Sequence, residues 1–419
     1  MIQDDRTFLS KLFDAAIAAA NPEYVLAAHL PERPRGRTVV IGAGKGAAHM
    51  AAAFEALWDG PLEGVVVTRY GDTCPTRSIR VMEAAHPVPD DAGIAASQAL
   101  FAAVKNLGPE DLVVALVCGG GSSLLPCPAG DLTLQDEIAL NQILLASGAP
   151  ISVMNTLRKQ VSGIKGGRLA QAAWPARVVT LVVSDVPGDD PAQVASGPTV
   201  PDCSGRAEAR NLARTWKIEL PPKIQAWLES DKEQAPLATN PVFSRNTVRI
   251  VASAHASLEA AAQRVRQNGL TPFILSDAME GEAREVAKVH AALLREIILR
   301  NRPFQRPCVI LSGGETTVTL KGKGRGGRNT EFLLALAIAA EGLPFTALAA
   351  DTDGIDGSEK NAGAFADGST AERLRKAGYL PAALLVENDA YTAFDTLHDL
   401  YVTGPTGTNI NDFRAIIVR

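Results

Sequence analysis

One block recurs along the chain: an apolar run of five to seven residues that ends in glycine, serine or aspartate. "RTVVIGAG" (37–44), "GVVVTRYG" (64–71), "DLVVALVCGGG" (111–121) and "RVVTLVVSD" (177–185) carry it in the first half. "TVRIVASA" (247–254), "TPFILSD" (271–277), "PCVILSGGE" (307–315), "FTALAADTDG" (345–354) and "RAIIVR" (414–419) carry it in the second. Helix-period segments such as "KGAAHMAAAFEALW" and "GIAASQALFAAVKNL" lie between them, as do residues 255–268, 281–300 and 329–341. A run that is apolar at every position, not at every second one, belongs to a strand covered on both faces. Helices between such strands make the sheet parallel.

The expected fold class is therefore α/β, with two Rossmann-like three-layer domains and mostly parallel sheets. Residues 203–245 are polar, helical in pattern and broken by prolines, and they mark the boundary. The division is a large N-terminal Rossmann-like domain over 1–235 and a C-terminal α/β domain over 236–419. Residues 1–30 read as a leading helix or two. In open parallel sheets ligands bind beyond the carboxyl ends of the strands. Facing strand ends then predict an active-site cleft between the domains.

Composition narrows the partners. Across 419 residues the net charge is −5, so there is no global basic footprint for nucleic acid, and an anion site must be a local gathering of cations. Five cysteines are scattered without metal-ligand spacing. The N-terminus lacks a basic region followed by an apolar block, and no stretch reaches the ~18 apolar residues of a membrane span. The expectation is a cytoplasmic protein with small-molecule substrates, no nucleic acid and no membrane.

The loops after the strands hold the chemistry. In "VVIGAGKGAAHM", Gly42, Gly44 and Ala47 match a degenerate dinucleotide pattern. Arg69, however, stands where an acid would hold an NAD ribose, although an arginine would suit NADP, and Lys45 places a point charge inside the turn. In "VCGGGSSLLP", Gly119, Gly120 and Gly121 let backbone N–H groups converge, and Ser122 and Ser123 add hydroxyls at a helix start, which makes an anion nest. In "MNTLRKQVSGIKGGRLA", Asn155 or Thr156 can cap a helix bearing Arg158 and Lys159, with Lys165 and Arg168 beyond. In "VVSDVPGDDPAQVASGPTVPD", Asp185 leaves a strand end ahead of Asp189 and Asp190, carboxylates suited to Mg²⁺ or to a hydroxyl's proton.

In the second half, "SGGETTVTLKGKGRGGRNTEF" predicts a strand, a hairpin and a cationic loop. Its glycine-spaced cations read as a mobile flap, with Asn329 or Thr330 capping the next helix. Asp351, Asp353 and Asp356 follow another strand, but the bidentate Glu of a calcium loop is missing, since Ala362 stands there. "YVTGPTGTNINDF" reads as a polar ligand loop. There is no Ser-His-Asp elbow, and His86 in "AAHPVPDDAG" reads as a hydrogen-bonded loop histidine. Glycine nests, isolated cations and aspartates are the parts that phosphoryl transfer needs.

Taken in order, "GAGKGAA", "AHPVPD", "CGGGSSLL", "NTLRKQVSGIKGGRLA", "SDVPGDDPAQVASGPTVPD", "SGGETTV…GRGGRNTEF", "DTDGIDG" and "TGPTGTNINDF" resemble the type II glycerate kinases, which end in a MOFRL-type domain. The resemblance runs from residue 42 to 413. It implies ATP-dependent phosphorylation of D-glycerate to 2-phosphoglycerate, with Mg²⁺ or another divalent cation. It places the reactive lysine on Lys45, the "GGRN" arginine on Arg328 and the "SD" aspartate on Asp185, which would accept the hydroxyl proton or orient that hydroxyl. Binding roles are expected for Gly44, Gly119–Ser123, Asn155, Arg158, Lys159, Arg325, Asn329, Thr406 and Asn409. Asp189, Asp351 or Asp353 would lie near the metal. A homodimer stays open. The rivals are an NAD(P)H-dependent hydroxypyruvate reductase and a non-catalytic sugar- or nucleotide-sensing module.

Overall fold

The computed structural model describes residues 4–230, 232 and 234–419. The chain divides into two compact units. One runs from Pro22 to Val251; the other joins Ala252–Arg419 to the N-terminal stretch through Asn21.

The first unit is built on β1 (Thr38–Ala43), β2 (Glu63–Arg69), β3 (Ile79–Ala84), β4 (Leu112–Val117), β5 (Arg177–Val183) and β6 (Thr247–Ala252). Their order in the sheet is β3-β2-β1-β4-β5-β6, and the neighbours from β3 through β5 pair in parallel. β1 and β4 are buried at every position, as their unbroken apolar runs require. Chain order reverses between β1 and β4, so the loops leaving these two strands diverge and open a crevice at their carboxyl ends. β3 lacks the unbroken apolar run of its neighbours, because "IRVMEA" mixes charged and apolar residues; it is the edge strand and needs less apolar cover.

Two sequence expectations change here. β6 reads as the opening strand of the second half but lies beside β5 in the first sheet. The segment before it, expected to mark the boundary, is folded into the first unit. The helices Arg206–Thr215 and Pro222–Glu229 pack with Leu134–Ala146 and Ile151–Gln160 around Leu140, Leu157, Ala209, Ile224 and Trp227. Arg206 lies 4.7 Å over the Trp227 ring, which gives this polar stretch a folded place.

The second unit holds β7 (Thr271–Glu282), β8 (Cys308–Thr317), β9 (Phe345–Asp351), β10 (Gly363–Asp367), β11 (Leu400–Tyr401) and β12 (Asp412–Val418), in the order β11-β10-β9-β12-β8-β7. This sheet is mixed, not mostly parallel. β7 pairs with β8 in parallel, while β12 runs antiparallel to both β8 and β9, and β10 antiparallel to β9 and β11. β8 and β9 still point the same way, as a helical crossover demands; the C-terminal strand has simply been inserted between them.

The strands of this sheet alternate between two covers. Ile310, Ile416 and Val418 face the helices Ala283–Arg300 and Arg328–Ala339 through Leu294, Ile297, Phe332 and Leu336. Val309, Leu311 and Ile417 face the helices Asp5–Ala18 and Ala254–Gln267 through Leu9, Leu12, Phe13, Leu258 and Val265. The first helix of the chain thus completes the third layer of this unit, whereas the division at 235/236 assigned it to the other. Each such large apolar side chain contributes about 1.5–3 kcal/mol by leaving water. No described helix is long and apolar enough to cross a membrane.

Candidate active site

At the β1/β4 crevice, two turns interlock. The Lys45 N–H donates to Gly119 O at 2.8 Å, and the Thr68 hydroxyl donates to Lys45 O at 3.1 Å. A Cβ at Gly42 would lie 2.4 Å from Leu116 O, and one at Gly44, where φ is +136°, would lie 2.4 Å from Cys118 O. These glycines are therefore required by close approach of the neighbouring strand, which accounts for the dinucleotide-like spacing without a dinucleotide. Lys45 is half-buried and forms no ion pair with any described residue.

The triglycine loop lies against this lysine. Gly120 sits at φ +78°, and its hypothetical Cβ would stand 3.0 Å from Lys45 Cγ and 3.1 Å from His86 Nε2. A Cβ at Gly119 would fall 1.9 Å from Asp185 Oδ2, so the carboxylate beyond β5 is pressed onto the loop. The N–H groups of Gly119 and Gly120 donate to no described residue, and both residues are at least half-buried. Unspent backbone donors beside a lysine form a site for oxyanions. Cys118 is no nucleophile, since burial pushes its thiol up to about 12.

Hydrogen bonds extend this centre. Ser122 and Ser196 share one between their Oγ atoms at 2.8 Å, Ser196 donates to Asn155 Oδ1 at 3.2 Å, and Arg158 Nη1 donates to the same oxygen at 3.1 Å. Arg158 Nε donates to Asn141 at 2.7 Å. Burial among these neutral amides lowers the guanidinium to about 10. Asn155 lies inside the helix Ile151–Gln160 and does not cap it; Pro150 does. Ser123 donates to Gly120 O at 3.2 Å and steadies the turn.

Other residues of this stretch face inward. Lys159 is fully buried 3.0 Å from Asp202, Lys165 donates to Leu125 O, and Arg168 donates to Lys159 O and Lys165 O. Those cations hold the fold together and are not turned toward a ligand. Asp189 sits in a tight turn at φ +54°.

In the second unit, Arg328 is held by three carboxylates: Nε to Asp412 at 2.6 Å, Nη2 to Asp351 at 2.7 Å and Nη1 to Glu315 at 3.0 Å. Burial pushes Asp351 well above the usual carboxylate range in spite of this arginine. Burial acts on Asp412 in the same sense, but Arg414 and Arg328 outweigh it and hold that group low. A cavity of about 550 Å³ opens beside Arg328, lined also by Thr316, Gly326, Gly327, Asp351 and Ser358.

The start of the helix Arg328–Ala339 is already satisfied. Asp356 accepts the N–H groups of Asn329 and Thr330, each at 2.9 Å, so an internal carboxylate, and not a ligand, meets the positive end. The cap residue is Gly327, in place of Asn329 or Thr330. Asn329 is buried and donates from Nδ2 to Asp412 at 2.8 Å.

Between β8 and this helix no hairpin forms among the described residues. The backbone donors of Lys321 and Gly322 go to Asn388 Oδ1, and that of Gly324 to Glu387 O. Arg325 donates its N–H to Asp389, and its guanidinium lies 4.7 Å over Tyr391. The glycines let the loop press onto 387–389, and backbone bonds from Lys321, Gly322, Gly324 and Arg325 tie the expected flap to that segment. Thr406 donates its N–H to Asp353 O at 3.3 Å, which ties its loop to the one after β9, and Asn409 accepts from Asn411 N–H at 3.1 Å within its own loop.

A metal was expected near Asp189, Asp351 or Asp353. Asp351 is committed to Arg328 and to the Asp353 N–H, and Asp353 Oδ1 accepts from Ile355 N–H. Among the described residues no group of three or more His, Cys, Asp or Glu could hold an ion. The donor set does not fit a preformed metal site.

Sequence reasoning missed Ser196, Asn141 and the position of His86. Only His86 carried a signal, a histidine ahead of proline in the loop after a strand.

Residues 8–229 match a family described as a domain of unknown function, DUF4147, and residues 308–412 match the MOFRL family. The chain is 52% identical over 417 residues to a protein of Agrobacterium vitis provisionally named hydroxypyruvate reductase, covering 99% of this chain and 94% of that one. It is 38% identical over 400 residues to the D-glycerate 2-kinase of Thermotoga maritima, covering 95% and 94%. A crystal structure of glycerate kinase from Thermotoga maritima superposes with a TM-score of 0.88 at 34% identity over 99% of each chain. With matches that run through both of its units, the chain belongs to the glycerate kinase family that joins a DUF4147 domain to a MOFRL domain.

Proposed function

We propose that the protein transfers the γ-phosphoryl group of ATP to the 2-hydroxyl of D-glycerate, giving 2-phosphoglycerate and ADP. The observation that carries this reading is the meeting of Lys45, Asp185 and the unspent Gly119 and Gly120 N–H groups at the β1/β4 crevice. Those are the parts for holding phosphate, neutralising developing charge and taking a hydroxyl proton. The name of the Thermotoga maritima relative supports the same activity and position.

In this reading the triglycine loop and Ser122 hold nucleotide phosphates. Asp185 orients the glycerate hydroxyl and receives its proton as the new O–P bond forms and the bond to the ADP oxygen breaks. Lys45 stabilises the oxygens of the transferring group, Asn155 and Arg158 support binding, and Arg328 keeps the catalytic role that the family resemblance implies. No step is assigned to a protein-bound metal.

The reductase reading, which the name of the Agrobacterium vitis relative suggests, has less support. Gly42 and Gly44 serve strand packing, and Arg69 is paired with Asp72, so an NADP phosphate would have to displace that acid. The test is a pair of assays on one preparation: ADP release from ATP with D-glycerate, and NADPH oxidation with hydroxypyruvate. Coupling the first to enolase identifies the 2-phosphate, which enolase consumes directly. NADPH oxidation without ADP release would reverse the assignment.

A further inference from the structure

His86 does not behave as the hydrogen-bonded loop residue that its sequence context suggests. The ring hydrogen-bonds to no described residue, although it is half-buried. It arrives from the loop after β3, and β3 is separated from β4 by β2 and β1, so this loop reaches back across two strands to the triglycine turn. The reach is anchored: Asp90 accepts the N–H groups of Ala85 at 3.3 Å and Gly93 at 3.0 Å, and the Tyr70 hydroxyl at 2.7 Å. Three separate loops thus converge at Gly120, bringing Lys45, His86 Nε2 and the free N–H groups together.

We propose that His86 is a further substrate-binding residue, donating Nε2–H to a phosphate oxygen seated against Gly119–Gly121. The proposal rests on the kinase reading and deepens it. A phosphate oxygen only accepts hydrogen bonds, so the ring must present an N–H and not a lone pair. The charged groups facing the ring are Lys45, Arg69 and Asp72. Burial, then Lys45 and Arg69, push the imidazole down to about 4, so it stays neutral beside the lysine. A neutral donor fixes the oxygen's position where a second cation would be repelled by Lys45.

The experiment compares His86→Ala and His86→Gln in the full chain, with initial rates at varied ATP and varied glycerate. The alanine variant is expected to lose about 10- to 100-fold in kcat/KM for ATP, the worth of one hydrogen bond to a charged group. The glutamine variant, with a neutral amide donor, is expected to recover a large part. Thermal midpoints should match wild type; if the alanine variant fails to fold, the glutamine variant and the following spectrum decide. With ¹⁵N-labelled histidines, addition of ADP alone should shift the His86 Nε2 resonance of the wild type, with the ring in its Nε2–H form.

An alanine variant within twofold of wild type, a loss confined to the KM for glycerate, or an unmoved resonance would each overturn the assignment. A shifted resonance in a wild type that releases no ADP would remove the kinase reading and leave this one standing. An active wild type with an indifferent His86→Ala would do the reverse.

Discussion

Lys45 and Arg328 differ in how much of their charge is already spent. Lys45 has no ion pair among the described residues, so Lys45→Ala should cut turnover by roughly 10³-fold or more, the scale of a transition-state cation, without moving the thermal midpoint. Arg328 is different because it neutralises Asp412, Asp351 and Glu315. Arg328→Ala should lose turnover and also about 3 kcal/mol of stability, since buried carboxylates lose their shared cation. Arg328→Lys should restore part of the stability and little of the activity, because an ammonium cannot replace the planar fork. Steady-state rates and denaturant melts on the same samples separate these effects. His290 gives a pH test. Its Nδ1–H donates to Val286 O and its Nε2 accepts from Ser312, and burial pushes it down to about 4 from 6.5. The unfolded chain therefore binds the proton first, so this contribution is present above pH 6.5 and is lost as pH falls toward 4. At pH 5 the loss should be about 2 kcal/mol relative to pH 7. Urea unfolding of wild type and His290→Gln at both values checks it; identical pH slopes would clear His290 of the effect.

At the scale of elements, the helix Arg328–Ala339 shows how a buried carboxylate can organise a site without touching substrate. Asp356 accepts two backbone N–H groups and the Thr330 hydroxyl, and so sets the direction in which Arg328 leaves the helix. Asp356→Ala should cost about 1–3 kcal/mol and weaken activity through Arg328. Calorimetry and kcat together test this, and an unchanged melt would refute the capping role. This arrangement was not legible in the sequence. "DTDGIDG" announced a loop rich in acids, but its spacing does not say that one acid caps a helix while another pairs with an arginine. The triglycine turn was legible, because three glycines after a buried strand have a narrow set of uses. The cationic loop shows a related ambiguity: glycines that permit motion also permit close approach, and only the positions of Glu387 and Asp389 decide between the two.

For the whole molecule, the first helix is the informative element. Phe8, Leu9, Leu12 and Phe13 complete a core with Leu258, Val309, Leu311 and Phe413, drawn from the opposite end of the chain. A chain lacking residues 1–20 should expose this apolar face, lower the thermal midpoint of the unit containing β7–β12 and bind hydrophobic dyes. An unaltered calorimetric trace would show that the helix is dispensable there. By itself the sequence determined the α/β class, most of the strands and the loops in which Lys45, Asp185 and the triglycine nest reside, because burial on both faces writes unbroken apolar runs and close backbone approach writes glycine. Tertiary structure alone decided that β6 belongs to the first sheet, that β12 enters between β8 and β9, that Lys159 and Arg168 are spent internally and that His86 meets Gly120. Those outcomes depend on which distant segments share a surface, and pairing across hundreds of residues leaves no local pattern to read.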